Sequence, residues 1–157
     1  MVRNSPPSIR CPLIINQIQE LAGIDSQQSA LFTILTELFV NALDHGVLQL
    51  DSDLKAAPSG FEIYMNERAR RLAELEHGWV SMVVTAAPGK PAGAIEIVVS
   101  DSGGGFDVDA YYQAYKLAAS THTPMPYGRG LALVCALCDE VEHQQAGTVT
   151  KVSYPWR

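Results

Sequence analysis

A chain of 157 residues with 47% hydrophobic and 18% charged residues is sized and composed for one folded domain, which excludes a disordered or fibrous protein. A formal net charge of −6 argues against a phosphate-backbone binder, which needs a basic surface, so no nucleic-acid partner is expected. No apolar run reaches the roughly 18 residues of a membrane helix, no signal-peptide pattern opens the chain, and three cysteines make no disulfide framework, so a cytoplasmic location without a membrane partner is expected.

Residues 1–10, rich in Pro and Ser, read as a tether, and residues 11–157 as a single domain. Pro12 to Leu21 reads as a short strand and then a helix, with Leu13, Ile14, Ile18 and Leu21 at helical spacing. The clearest helix spans Asp25 to His45. Asp25 or Ser26 can cap it, and Gly46 is expected to end it through a left-handed turn. Leu31, Leu35, Leu38 and Ala42 form its buried stripe, and Glu37, Asn41 and Asp44 run along one side with His45 at the edge. Residues 47–78 change texture, and the dense alternating charge of NERARRLAELEHG predicts a loop and an exposed helix inserted there.

WVSMVVT from Trp79 and AIEIVVS from Ala94 read as strands, and PGKPAG between them predicts an antiparallel hairpin. The second strand runs into DSGGGFD, where Asp101 leaves the sheet and three glycines follow. Residues 107–127 form a connection longer than most in compact domains, and such segments are usually functional. YGRGLAL then opens an apolar helix over Gly130 to Leu137. Val141 to Gln144 and Thr148 to Tyr154 close the chain as a hairpin across Ala146–Gly147. This order predicts an α+β fold, a two-layer sandwich with a mixed, mostly antiparallel sheet covered on one face by helices. Cys135 and Cys138 form a CxxC inside LALVCALC, where cysteine acts as a small hydrophobe, so core packing is expected over a redox or metal role.

Three patches carry chemistry. Glu37 and Asn41, four apart on a helix, project from one face. Either they are the wet side of an amphipathic helix, or they are a general base and an amide oxygen suited to a hard cation. The glycines of DSGGGFD, Gly103 and Gly105 with Gly104 between them, exceed what a tight turn requires and allow close backbone approach to a ligand. Gly128 and Gly130 flank Arg129 at a helix start, where unpaired N–H groups and the helix dipole can seat a phosphate. Arg129 can pair with that phosphate or with a surface carboxylate. Neither a Walker-type phosphate loop nor a dinucleotide GxGxxG occurs.

In this order and spacing, ELFVNALDHG, DSGGGFD and YGRGLAL resemble the N, G1 and G2 boxes of the GHKL, or Bergerat-fold, ATPase superfamily. Gyrases, the heat-shock chaperone of ninety kilodaltons and histidine kinases share that superfamily. The GRGL form of the last box looks like the bacterial anti-sigma-factor serine kinases. The charged insertion resembles the ATPase domains that end response regulators bearing a receiver and a serine phosphatase, so the chain is expected to be a domain of such a regulator. The resemblance implies a Bergerat fold binding ATP with Mg²⁺, and a protein serine/threonine kinase acting on an anti-sigma-antagonist protein of the STAS type. It also allows a sigma or anti-sigma factor as a partner, and a homodimer.

Residue by residue, the resemblance makes Glu37 the base, Asn41 the Mg²⁺ ligand and Asp101 the acceptor of adenine's amine. Gly103, Gly105, Gly128, Arg129, Gly130 and Leu131 would line the nucleotide. Asp44 and His45 extend the same polar edge; His45 approaches the phosphates or is satisfied by the last helical carbonyls. Thr148 supports Asp101 through water or is an ordinary strand threonine. The segment 107–127 corresponds to the lid over ATP, or is a packed surface helix and a loop. A histidine-kinase catalytic domain, or a nucleotide-gated binding module with little turnover, are the rival readings.

Overall fold

The computed structural model describes residues 28–51, 54–55, 58–87, 93–121 and 129–155. The tether, the strand and helix expected at 12–21, the caps at Asp25 or Ser26, most of the PGKPAG turn, and His122 to Gly128 lie outside them.

The first described helix, α1, is α-helical over Gln28–Val40 and continues as a wider π-helical turn over Asn41–Val47. Its exit is marked by the five-residue step from the Leu48 amide to the Leu43 carbonyl, 2.8 Å. Gly46 therefore does not end the helix through a left-handed turn as expected. The first left-handed residue is Gln49, at φ 52°. Glycine is needed at 46 for a different reason: a Cβ there would lie 2.5 Å from the Asp101 carboxylate. The run Ser29–Val47 has the length and mean hydropathy, 1.2, to cross a membrane, contrary to the sequence expectation. In this fold its Leu31, Ile34, Leu35 and Leu38 are core residues.

The inserted segment forms α2, Gly60–Glu74. It is not simply an exposed charged helix. Tyr64 is buried and packs with Leu48 and Leu50 as a second small core, and Arg71 donates to the carbonyls of Leu48 and Gln49, 2.8 Å each. The rest of the chain is β1 (Val80–Ala87), β2 (Ala94–Asp101), α3 (Val108–Thr121), α4 (Arg129–Leu137), β3 (Glu140–Gln144) and β4 (Val149–Pro155). The strands pair in the order β1-β2-β4-β3, and all three pairings are antiparallel, so no parallel pair occurs among the described residues. The two expected hairpins are both present.

Side chains alternate across the sheet, so one face carries Val80, Met82 and Val84 of β1, Ile95, Ile97 and Val99 of β2, and Val152 and Tyr154 of β4. These meet Leu31, Ile34, Leu35 and Leu38 of α1 and Leu131 and Val134 of α4 in the main core. Half-buried Cys138 packs against the same core, and burial pushes its thiol up to about 12. Its packing there agrees with the apolar run in which it stands.

Candidate nucleotide site

A cavity of about 520 Å³ opens between α1, α3, α4 and the ends of β2 and β4. Asn41, His45 and Gly46 reach it from the π-helical turn, Asp101 and Gly105 from the glycine-rich stretch, and Leu131 from α4. Three stretches far apart in sequence thus contribute to one wall. Ala110, Ala114 and Ala118, at four-residue steps on α3, face it with small side chains and leave room for a ligand.

Asp101 ends β2 on the inner face of the sheet. Its Oδ1 accepts the Gly103 amide at 2.8 Å, the local turn expected of an aspartate leaving a strand. Burial raises its carboxyl above the ordinary range, a trend the Gly103 hydrogen bond opposes. A partly desolvated acceptor of this kind binds a ligand donor more strongly than one in water. Gly105 sits at φ 72°, and a Cβ there would run into the Ala146 carbonyl, which accepts the Phe106 amide at 2.9 Å. The glycine loop and the β3–β4 turn are therefore interlocked.

His45 Nδ1 donates to the Leu50 carbonyl at 2.7 Å while its ring lines the cavity, so a carbonyl tether and a ligand-facing position coexist. Of the expected site residues, Glu37, Gly103, Arg129 and Gly130 do not line the cavity. Gly103 packs on the Gly46 carbonyl, and the Glu37 carboxylate lies against Gly130, where any Cβ would collide with it. That contact joins the first and third sequence patches through the packing of α1 on α4. Arg129, at the start of α4, is exposed.

Two further expected site residues are engaged elsewhere. Asp44 does not face the cavity; only 3% of it is exposed, and its carboxylate accepts from Tyr64 Oη at 2.9 Å and Arg68 Nε at 2.8 Å. It anchors the inserted helix. Thr148 does not line the cavity either; its hydroxyl donates to the Gln145 carbonyl at 2.9 Å. Thr150 lines the cavity instead. The segment expected as a lid is helical over Val108–Thr121 in its described part.

Sequence reading missed an aromatic and polar part of the cavity lining. Thr150 on β4 is the cross-strand partner of both Val99 on β2 and His143 on β3. His143 Nδ1 and Thr150 Oγ1 lie 3.0 Å apart. Phe106 and Tyr111 stand edge-on to the imidazole, with centroids at 5.2 and 6.3 Å. Among the described residues, Tyr111 Oη and His143 Nε2 are buried side-chain polar atoms with no hydrogen-bond partner. The signal was available, because alternation puts His143 on the face of Val141 and Thr150 on the face of Val152.

Burial holds the His143 pKa below its ordinary 6.5, which favours the neutral ring. The unfolded chain then binds a proton more readily than the folded one as pH falls below about 6.5. Stability present above that value is expected to decline as the pH falls below it. His143→Phe should flatten the decline in urea melts across this range. An unchanged slope would place the titration elsewhere.

The residues present suit a nucleotide: an acceptor and close backbone approach for a base, and the Asn41 amide for a cation. Among the described residues no cluster of three or more His, Cys, Asp or Glu could hold a metal ion by itself. Mg²⁺ needs no such cluster, since it is commonly held by one or two side chains together with phosphate oxygens. No protein-family model, curated protein or solved structure matches this chain, so what it does is read from this geometry and the three sequence patches alone.

Proposed function

We propose that the chain is a Mg²⁺-ATP-dependent protein serine/threonine kinase domain of the Bergerat type, acting on an anti-sigma-antagonist protein in a partner-switching pathway. One observation carries this reading. Asn41, His45, Asp101, Gly105 and Leu131, named as nucleotide-binding from separate sequence patches, line one cavity of about 520 Å³. Bound ATP would supply a terminal phosphoryl group to a serine or threonine hydroxyl and leave as ADP. Glu37 is the proposed acceptor of the hydroxyl proton, and Asn41 the proposed side-chain ligand of Mg²⁺.

Incubation with labelled ATP and candidate partner proteins tests the assignment. Acid-stable phosphoserine or phosphothreonine on the partner supports it; acid-labile phosphohistidine would move the chain to the histidine kinases. A second reading, a nucleotide-gated binding module with little turnover, gains from the Glu37 carboxylate, which packs against Gly130 and does not line the cavity. Nucleotide-dependent partner capture without transfer would favour it.

Asp101→Asn is expected to weaken ATP binding by roughly tenfold or more, the scale of one lost hydrogen bond to a charged group. Calorimetry of ATP and GTP on both proteins checks this. Equal affinity of the unaltered chain for the two nucleotides would remove Asp101 as the base selector.

A further inference from the structure

The solvent-facing surface of α2 is divided between charge and hydrophobicity. Glu67, Arg70 and Glu74 form ion pairs along one side, where Ile63 is a single exposed apolar residue of the kind any surface carries. Phe61, Met65, Ala69 and Leu72 lie on the opposite side, within about 80° of one another at about 100° per residue. All four are exposed; Phe61 leaves 72% of its surface in water, and Met65 and Leu72 each more than a third. A helix that only rests on its domain needs one apolar face, and α2 already has that in Gly60 and buried Tyr64. The second apolar stripe faces water.

Charge and size together define what fits the stripe. Each arginine of α2 is engaged with a carboxylate: Arg68 with Asp44, Arg70 with Glu67 and Glu74, and Arg71 with Glu67. Glu62, beside Phe61, and Glu76, just past the helix, have no ion pair among the described residues. The surplus charge at both ends of the stripe is therefore negative and complements lysine or arginine. From Phe61 to Leu72 the stripe runs about 17 Å and is one helix, about 10 Å, wide. That is far short of the roughly 800 Å² per partner of a stable dimer, but it matches one face of a single helix. Two copies of this chain would also meet with like charge, since each carries a net −6. The stripe is held rigidly as well. A Cβ on Gly60 would run into the backbone of Leu54 and Lys55, Arg68 is fixed on Asp44, and Arg71 on the carbonyls of Leu48 and Gln49. A partner docking there orders little on this chain's side.

We infer that the Phe61, Met65 and Leu72 stripe of α2 is a docking surface for one amphipathic helix of a partner protein, whose apolar face is flanked by lysine or arginine. The partner helix lays its apolar side chains over Phe61, Met65, Ala69 and Leu72, and its basic residues reach Glu62 and Glu76. The nucleotide reading is not needed for this, because no residue of the stripe lines the cavity.

Two designed helical peptides of about 18 residues, sharing one leucine stripe but flanked by lysine or by glutamate, serve as probes against the full chain. Fluorescence anisotropy is expected to show micromolar binding of the lysine peptide and about tenfold weaker binding of the glutamate peptide, a gap that narrows at high salt. Phe61→Gln with Leu72→Gln places good helix formers at exposed positions. This pair should weaken the lysine peptide about tenfold while thermal melting stays unchanged. Glu62→Lys with Glu76→Lys should reverse the preference between the peptides. A benzophenone side chain in place of Phe61 should cross-link to the lysine peptide and, in the free chain, give no adduct. Cross-linking of the free chain to a second copy, or to its own residues 1–27, would assign the stripe to that occupant and overturn the inference. Failure of both peptides to bind, or binding that Phe61→Gln with Leu72→Gln leaves unmoved, would overturn it too. Equal binding of the two peptides would overturn the basic character of the partner.

Discussion

Glu37→Gln is expected to cut phosphoryl transfer by roughly 10²–10⁴-fold while nucleotide affinity changes little, the signature of a general base acting in the transition state. Gln is preferred to Ala because the Glu37 carboxylate is in packing contact with Gly130, and truncation would open a gap between α1 and α4. Loss of packing would lower affinity and stability together; loss of a base lowers the rate alone. Single-turnover transfer to a competent partner, beside calorimetric nucleotide affinity, separates the two. Full transfer by Glu37→Gln would dismiss the carboxylate as base. That result would favour the binding-module reading, in which the Glu37–Gly130 contact serves only to hold α4 on α1.

Asp44→Ala is expected to destabilise the fold by about 3 kcal/mol, near the lower end for breaking a buried ion pair. The carboxylate is buried and takes both the Tyr64 hydroxyl and the Arg68 guanidinium, so its removal strands two donors at once. Arg68 keeps 26% of its side chain exposed and can rehydrate, which holds the loss below the upper end. Tyr64→Phe removes only one hydroxyl and should cost about 1 kcal/mol. Urea melts of both variants give the comparison. A loss under about 1 kcal/mol for Asp44→Ala would show that α2 is held by its small core of Leu48, Leu50 and Tyr64 and not by the buried carboxylate. Asn41 and His45 sit in the same π-helical turn as Asp44, so the larger loss should be accompanied by weaker nucleotide binding.

Much of the architecture is legible in the sequence. Leu31, Leu35 and Leu38 at helical steps marked the buried stripe of α1, and all three are core residues. Alternation in AIEIVVS and the turn residues on either side announced β2 and its hairpin with β1. Asp101 and Gly105 were legible because glycine and aspartate carry their backbone preferences locally. Residues whose roles depend on a distant partner were not. Asp44 reads as one more polar residue on a helix edge until Tyr64 and Arg68, 20 and 24 positions later, fold over it. Thr148 is the threonine that motif matching picks out, because matching sees position in a string and not which residue lines the cavity, where Thr150 stands.

The sequence by itself marked α1, β1, β2, α4 and the closing hairpin, and the three chemical patches, because periodicity and turn chemistry are properties of neighbouring residues. Only the tertiary structure decided that α1 widens into a π-helical turn, and that Gly46 and Gly130 are glycines to admit the carboxylates of Asp101 and Glu37. It also decided that Asp44 belongs to a buried anchor, and that His143 and Thr150 pair in the lining of the cavity. These are contacts between segments far apart in the chain, set by cross-strand register and helix packing, and no local pattern encodes which side chains such packing brings within hydrogen-bonding distance.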